Sequence, residues 1–526
     1  MDTVVQTAYG KVEGLRERGT YVFKGLPFAA PPVGARRWLP PARPERWEGV
    51  RPATAFSPAC PQESLTVSAA DIFAVQGPQD EDCLYLNIWS PGVDDAARPV
   101  MVWIHGGGYN MGSASQPIFD GVRLASRGDV VVVTINYRLG PLGFMNLTEV
   151  TGGAIPSTGN EGLLDMVAAL EWIQENIAAF GGNPDNVTVF GESAGGWAAG
   201  ALLAMPRAAG LFHKAIAQSG VGHPGLDLEH AHHLAGLFAD RFGATARDAD
   251  QLRAAPPEKI LAAAPSLFKS FFEPDPANSD RYLRHVVDGD ILPMPIVDAV
   301  AAGSSAGIPL MVGTTRDEVA KIFVVSAFTE GEPPFDKVRR LVHRDVDVRQ
   351  LASVYAQARR DRFARDGDGD VAAAIATDTV RIPSLRLLDA HRRHQSSTYG
   401  YLFSWTSPGG DAAYGSPHGI DIGFLFGTYD LADDYAAEWG QGPAAAALSQ
   451  AVMDAWTAFA RTGDPSSPTL GAWPEYGDAR RTMVIGERTH VIDAPYDEER
   501  RAWEPYSNAD LARPLFRLPS REDAAV

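Results

Sequence analysis

The stretch Val187-Thr188-Val189-Phe190-Gly191-Glu192-Ser193-Ala194-Gly195-Gly196-Trp197-Ala198-Ala199-Gly200-Ala201-Leu202-Leu203 decides how this chain folds. Its first four residues are mostly β-branched or aromatic and read as a strand. Residues 197–203 are small or apolar and read as a buried helix. Ser193 therefore falls at a sharp strand-to-helix turn. There its hydroxyl stands clear of the chain, the flanking glycines avoid clashes, and the helix N-terminus faces developing negative charge. This is the setting of a nucleophile.

The pentapeptide alone is weak evidence, because Gly303-Ser304-Ser305-Ala306-Gly307 has the same spacing. That run follows a helical segment, 296–302, and precedes a strand-like one, 308–312. The order is reversed, so Ser305 is expected in an ordinary loop.

Working outward, the apolar runs 100–104 and 130–135 look like buried strands leading into Gly-containing loops. Leu163, Val167, Leu170, Ile173, Ile177 and Phe180 recur three or four apart, one face of a helix that Gly181-Gly182 and Pro184 end. Strand-like runs return at 308–312 and 399–405. The Ala-rich stretches at about 225–305 and 335–394, one before each of these runs, read as helical insertions. The first 47 residues, rich in Pro and Gly, read as short strands and turns. An α/β chain with a central, mostly parallel sheet and helices on both faces is expected, the insertions forming a lid. The acidic run at 366–370 lacks the Gly and Glu that an EF-hand loop needs and reads as a solvated loop.

With 46 Lys plus Arg against 65 Asp plus Glu, the net charge of -19 repels phosphate backbones and anionic headgroups, so neither nucleic acid nor membrane is an expected partner. The N-terminus lacks a basic and then apolar leader, and no apolar run is long enough to cross a bilayer. A soluble, cytoplasmic protein is expected, or a secreted one if a leader was removed. Cys60 and Cys83 have no metal-ligand spacing; one disulfide or two thiols both remain open.

Ester cleavage passes through an oxyanion that backbone N–H groups can hold. His105-Gly106-Gly107-Gly108-Tyr109, after the strand-like run 100–104, is a loop able to present bare amides.

These residues resemble the type-B carboxylesterase family, which includes bacterial para-nitrobenzyl esterases, animal carboxylesterases, cholinesterases and the catalytically silent neuroligins. The resemblance extends through Glu81-Asp82-Cys83-Leu84-Tyr85-Leu86-Asn87, Asn136-Tyr137-Arg138, Gly159-Asn160-Glu161-Gly162-Leu163, Ala217-Gln218-Ser219-Gly220, and Phe459-Ala460-Arg461-Thr462-Gly463-Asp464-Pro465 to Trp473-Pro474. It implies one α/β-hydrolase domain over 1–526, no cofactor, and Gly107, Gly108 and Ala194 as oxyanion donors.

A serine hydroxyl needs an imidazole to take its proton and an acid to orient that imidazole, in the chain order Ser, acid, His. After the strand-like run 308–312 come Asp317 and Glu318, between which the residues themselves do not choose; the family pattern places the acid at Glu318. Of twelve histidines only His343, His391, His394, His418 and His490 follow. His391 and His394 lie in a charged helical stretch and are expected on an exposed face. His418, in the tight loop Gly415-Ser416-Pro417-His418-Gly419, resembles the family's HG-x-E motif, with Asp421 in place of Glu. His230, His232 and His233 have no partner spacing for a metal and read as a solvated helix face.

The resemblance also implies support of the acid by Ser219, an acidic neighbour to the nucleophile in Glu192, and a disulfide between Cys60 and Cys83. Residues 61–82 contain no Trp for a cation–π contact with choline. A broad esterase for uncharged or aromatic small-molecule esters is expected. An amidase or carbamate hydrolase with the same triad is an alternative, and the retained Ser193, Glu318 and His418 argue against a silent, neuroligin-like binding protein.

Overall fold

The computed structural model describes residues 3–63, 75, 77–243, 246–265, 283–319, 333–342, 345–359, 367–408 and 415–511; His343 and Asp366 lie outside them. Eleven strands form one sheet: β1 Leu15–Glu17, β2 Thr20–Pro27, β3 Tyr85–Ser90, β4 Arg98–Ile104, β5 Val131–Ile135, β6 Gly182–Glu192, β7 Lys214–Gln218, β8 Leu310–Thr315, β9 Thr398–Phe403, β10 Arg481–Ile485 and β11 His490–Asp493. Their spatial order is β11-β10-β9-β8-β7-β6-β4-β5-β3-β2-β1. Every neighbouring pair from β5 to β10 is parallel, and the flanking pairs are antiparallel. This is the mostly parallel sheet that the sequence predicts, an α/β-hydrolase fold.

Both faces of the central strands are buried, which is why these read as unbroken apolar runs. In β4, Val100, Val102 and Ile104 join one core while Met101 and Trp103 join the other; in β6, Val189 and Phe190 divide the same way. Helix α1, Glu161–Asn176, lies on the first face through Leu163, Leu170 and Ile173. Two more helices follow, α2 Ala194–Ala204 and α3 Leu228–Phe242. Further along come α4 Ile296–Ala301, α5 Asp368–His391, α6 Ile420–Phe426 and α7 Pro443–Thr462. Helices α6 and α7 cover the second face with Phe424, Phe426, Trp456 and Phe459.

Some expectations are corrected. Asp368, Gly369 and Asp370 open helix α5 instead of forming a loop. His391, at the end of α5, is fully buried and its Nδ1 lies 2.7 Å from Thr398 Oγ1; the helix packs Leu387 and Leu388 into the sheet's core, turning this face inward despite its charged neighbours. Cys60 and Cys83, whose pairing the sequence leaves open, are both buried free cysteines that lie against each other. Cys60 Sγ accepts the Leu139 N–H at 3.3 Å, so the thiol already has a packing role. No helix among the described residues is long and apolar enough to cross a membrane.

Candidate active site

Ser193 sits between β6 and α2 with φ 56° and ψ −120°, a strained backbone held from both sides. Its N–H donates to Gln218 O at 2.9 Å, and its carbonyl accepts from Trp197 N–H at 3.0 Å. The glycines have a spatial reason. A Cβ on Gly195 would lie 1.9 Å from Ile104 O, and one on Gly196 would lie 2.7 Å from Gln218 O. Helix α2 thus rests its backbone directly on β4 and β7. Ser305 lies instead between α4 and β8, completely buried, its hydroxyl without a hydrogen-bond partner among the described residues.

Because β4, β6, β8 and β9 run parallel, their C-terminal ends share one edge of the sheet. The glycine loop leaves β4 there. Gly107, at φ 105°, accepts from the Asn110 and Met111 amides and has no room for a Cβ, which would meet Met111 O at 2.2 Å. Gly106 lies against the turn: a Cβ on it would be 3.1 Å from Ser193 Cβ. Among the described residues, the N–H groups of Gly107, Gly108 and Ala194 have no hydrogen-bond acceptor. Unpaired amides at a helix N-terminus favour an anion.

Glu318 follows β8 and is fully buried, its Oε1 accepting from Thr315 N–H at 2.7 Å and its Oε2 lying 2.5 Å from His418 Nδ1. Adjacent Asp317 turns away to the Ser416 amide at 2.9 Å and to Arg316 at 2.8 Å. Those contacts, with His418 N–H donating to Glu318 O at 3.2 Å, zip the acid's loop to the histidine's loop. In the neutral ring, Glu318 favours the Nδ1–H tautomer, which leaves Nε2 as the acceptor. Nε2 lies 3.1 Å from Glu192 Oε1, an electrostatic contact, since that oxygen makes no hydrogen bond. No hydrogen bond joins Ser193 Oγ to the imidazole among the described residues.

The charges here are coupled through burial. Burial raises Glu192 to about 8, opposed by His418 and helped by Asp421 and Glu318. For His418 burial acts downward, but the carboxylates of Glu192 and Glu318 outweigh it and raise the imidazole to about 10. Both acids thus favour the protonated form of the ring.

Among the described residues the buried Ser219 hydroxyl has no hydrogen-bond partner, the acid included, and its backbone is held at φ 52° by the turn after β7. Asp421 is buried, with Oδ2 accepting from Gln218 Nε2 at 2.8 Å and Tyr401 OH at 3.1 Å; burial raises it to about 6 against those bonds. Gln218 and Tyr401 were not marked by sequence. Gln218 stood inside a family-like run, but nothing local shows that one residue receives Ser193 N–H and also grips Asp421. The described residues contain no cluster of His, Cys, Asp or Glu able to hold a metal ion; His230 and His232 pair with Asp227 and Glu149.

Comparison with known proteins adds a separate line of observation. The sequence model described as the carboxylesterase family matches residues 1–503. The para-nitrobenzyl esterase of Bacillus subtilis (strain 168) is 36% identical over 510 residues, covering 95% of this chain and 98% of that protein. Carboxylesterase 1D of Mus musculus is 34% identical, covering 95% and 92%. A solved thermophilic PNB esterase, 35% identical, superposes with a TM-score of 0.83 over 95% of this chain and 100% of the other.

Proposed function

The chain belongs to the carboxylesterase family and is a carboxylic ester hydrolase, and from that premise we propose that it works through an acyl-enzyme on Ser193. The observation that carries the reading is the 2.5 Å contact of His418 Nδ1 with buried Glu318, beside the strained Ser193 turn. His418 Nε2 takes the Ser193 proton as Oγ attacks the ester carbonyl, and Glu318 stabilises the resulting imidazolium. The unpaired amides of Gly107, Gly108 and Ala194 receive the oxyanion. The imidazolium returns its proton to the departing alcohol, and water, deprotonated by the same ring, releases the acid. The Ser193–His418 hydrogen bond forms when substrate arrives; such bonds are often long or misaligned in ligand-free sites. Glu192 and Asp421 act at one remove, by adding negative charge around the ring.

The absence of Trp from residues 61–82 removes a choline-binding ring and favours a broad range of uncharged or aromatic esters. Ser193→Ala is expected to lower kcat for a para-nitrophenyl ester by roughly 10⁶-fold. A phosphonate label should map to Ser193, with Ser305→Ala labelled like the wild type. Near-normal turnover by Ser193→Ala, or a label on Ser305, overturns the assignment.

A further inference from the structure

Gln218 ends β7, and the proposed mechanism gives it no part. In the sheet it stands in register between Glu192 of β6, the residue before the nucleophile, and Gly313 of β8, the strand that leads to Glu318. Its backbone carbonyl accepts the Ser193 N–H at 2.9 Å. Its side chain is fully buried, and Nε2 donates to Asp421 Oδ2 at 2.8 Å. Asp421 lies in the first turn of α6, three residues after His418. One residue therefore holds the nucleophile turn by its main chain and the histidine's segment by its side chain.

The surroundings fix the direction of that side chain. The Trp456 indole N–H donates to Gln218 Oε1 at 3.3 Å. An indole only donates and an ionised carboxylate only accepts, so these two neighbours decide which way round the amide sits. Tyr401 adds a second hold from β9, its OH 3.1 Å from the same Asp421 Oδ2. The Tyr401 ring lies directly over Gly313, where a Cβ would come within 2.2 Å of it. Proton transfer from Ser193 to His418 needs two separate segments held at hydrogen-bond reach, and a misplacement of about 1 Å can cost roughly 10²-fold in rate.

We propose that Gln218 is a positioning residue for ester hydrolysis: by gripping Asp421, its amide fixes the distance between the His418 segment and the Ser193 turn. The inference rests on the Ser193 esterase reading. Gln218 acts through Asp421 and takes no part in the proton transfer itself.

The test is Gln218→Met, which keeps the side-chain length and the main-chain bond to Ser193 but removes the grip on Asp421. Rates are expressed per active site, counted by complete labelling with a para-nitrophenyl phosphonate, so unfolded protein does not enter. For a para-nitrophenyl ester, kcat should fall roughly 10- to 100-fold with KM changed by less than about threefold, and phosphonate labelling should slow in step. Added to Asp421→Ala, where the grip is already gone, Gln218→Met should lower kcat by less than about twofold further. Trp456→Phe, which leaves the grip in place and removes only the indole donor, should cost far less than Gln218→Met. If Gln218→Met yields no labelled sites, Gln218→Asn, polar but one carbon too short to reach Asp421, carries the same comparison. Wild-type kcat per site in the Gln218 variant, or an equal loss in the Asp421→Ala background, overturns the positioning role and leaves the Ser193 mechanism standing. A phosphonate label that maps away from Ser193 in the wild type overturns the esterase reading instead, and this inference with it.

Discussion

Ser193 is held at a φ that L-residues avoid, and the strain of about 1 to 3 kcal/mol typical of such positions is offset by its bonds to Gln218 and Trp197. Beside the turn, the His418 imidazole lies against two acids, Glu192 and Glu318. A protonated His418 cannot accept the serine proton, so kcat/KM should fall as pH drops through the imidazole's pKa. Glu192 and Glu318 raise that pKa above the ordinary 6.5, so the acid limb should lie above 6.5 as well. Removing one carboxylate moves it down. Glu192→Gln is accordingly expected to shift the acid limb of the pH–rate profile to lower pH, with a smaller loss of kcat than Ser193→Ala. An acid limb that stays in place or moves upward would show that Glu192 does not act on the ring.

At the scale of elements, the β6-to-α2 unit is a packing device as much as a chemical one. Gly195 and Gly196 let the helix backbone touch β4 and β7, fixing where the first turn of α2 sits on the sheet. Gly195→Ala places a methyl group against Ile104 O, a backbone atom that cannot move alone. Its expected outcome is a loss of both stability, by more than about 3 kcal/mol in urea melts, and esterase activity. An active, normally stable Gly195→Ala protein would mean that the contact relaxes cheaply. The inserted segments do different work from one another. Helix α5, read from sequence as part of a lid-forming insertion, packs against β8 with its apolar face and carries buried His391 at its end.

For the molecule as a whole, a buried ion pair ties distant parts together: Arg138 Nη2 lies 2.7 Å from Asp165 Oδ1 and Nε 2.8 Å from Oδ2, while Nη1 donates to Leu39 O at 2.8 Å. Both side chains are almost fully enclosed. Asp165→Ala strands the guanidinium and should cost about 3 to 5 kcal/mol, measurable by denaturant titration; a cost under about 1 kcal/mol would show that the charge reaches water. The sequence by itself determined what is local. The strand, Ser193, α2 order, the glycine loop and the buried strand at 100–104 all follow from turn chemistry and apolar runs within a few residues. Family likeness then put Glu318, His418 and the oxyanion glycines on the list. Tertiary structure decided the pairings between distant segments. It turned Glu318 rather than Asp317 toward His418, 100 residues away, buried His391, left Cys60 and Cys83 as thiols, and brought Gln218 under Ser193 and Asp421. Periodicity cannot reveal these, because which side chain faces which across separate strands depends on how the whole sheet and its helices pack.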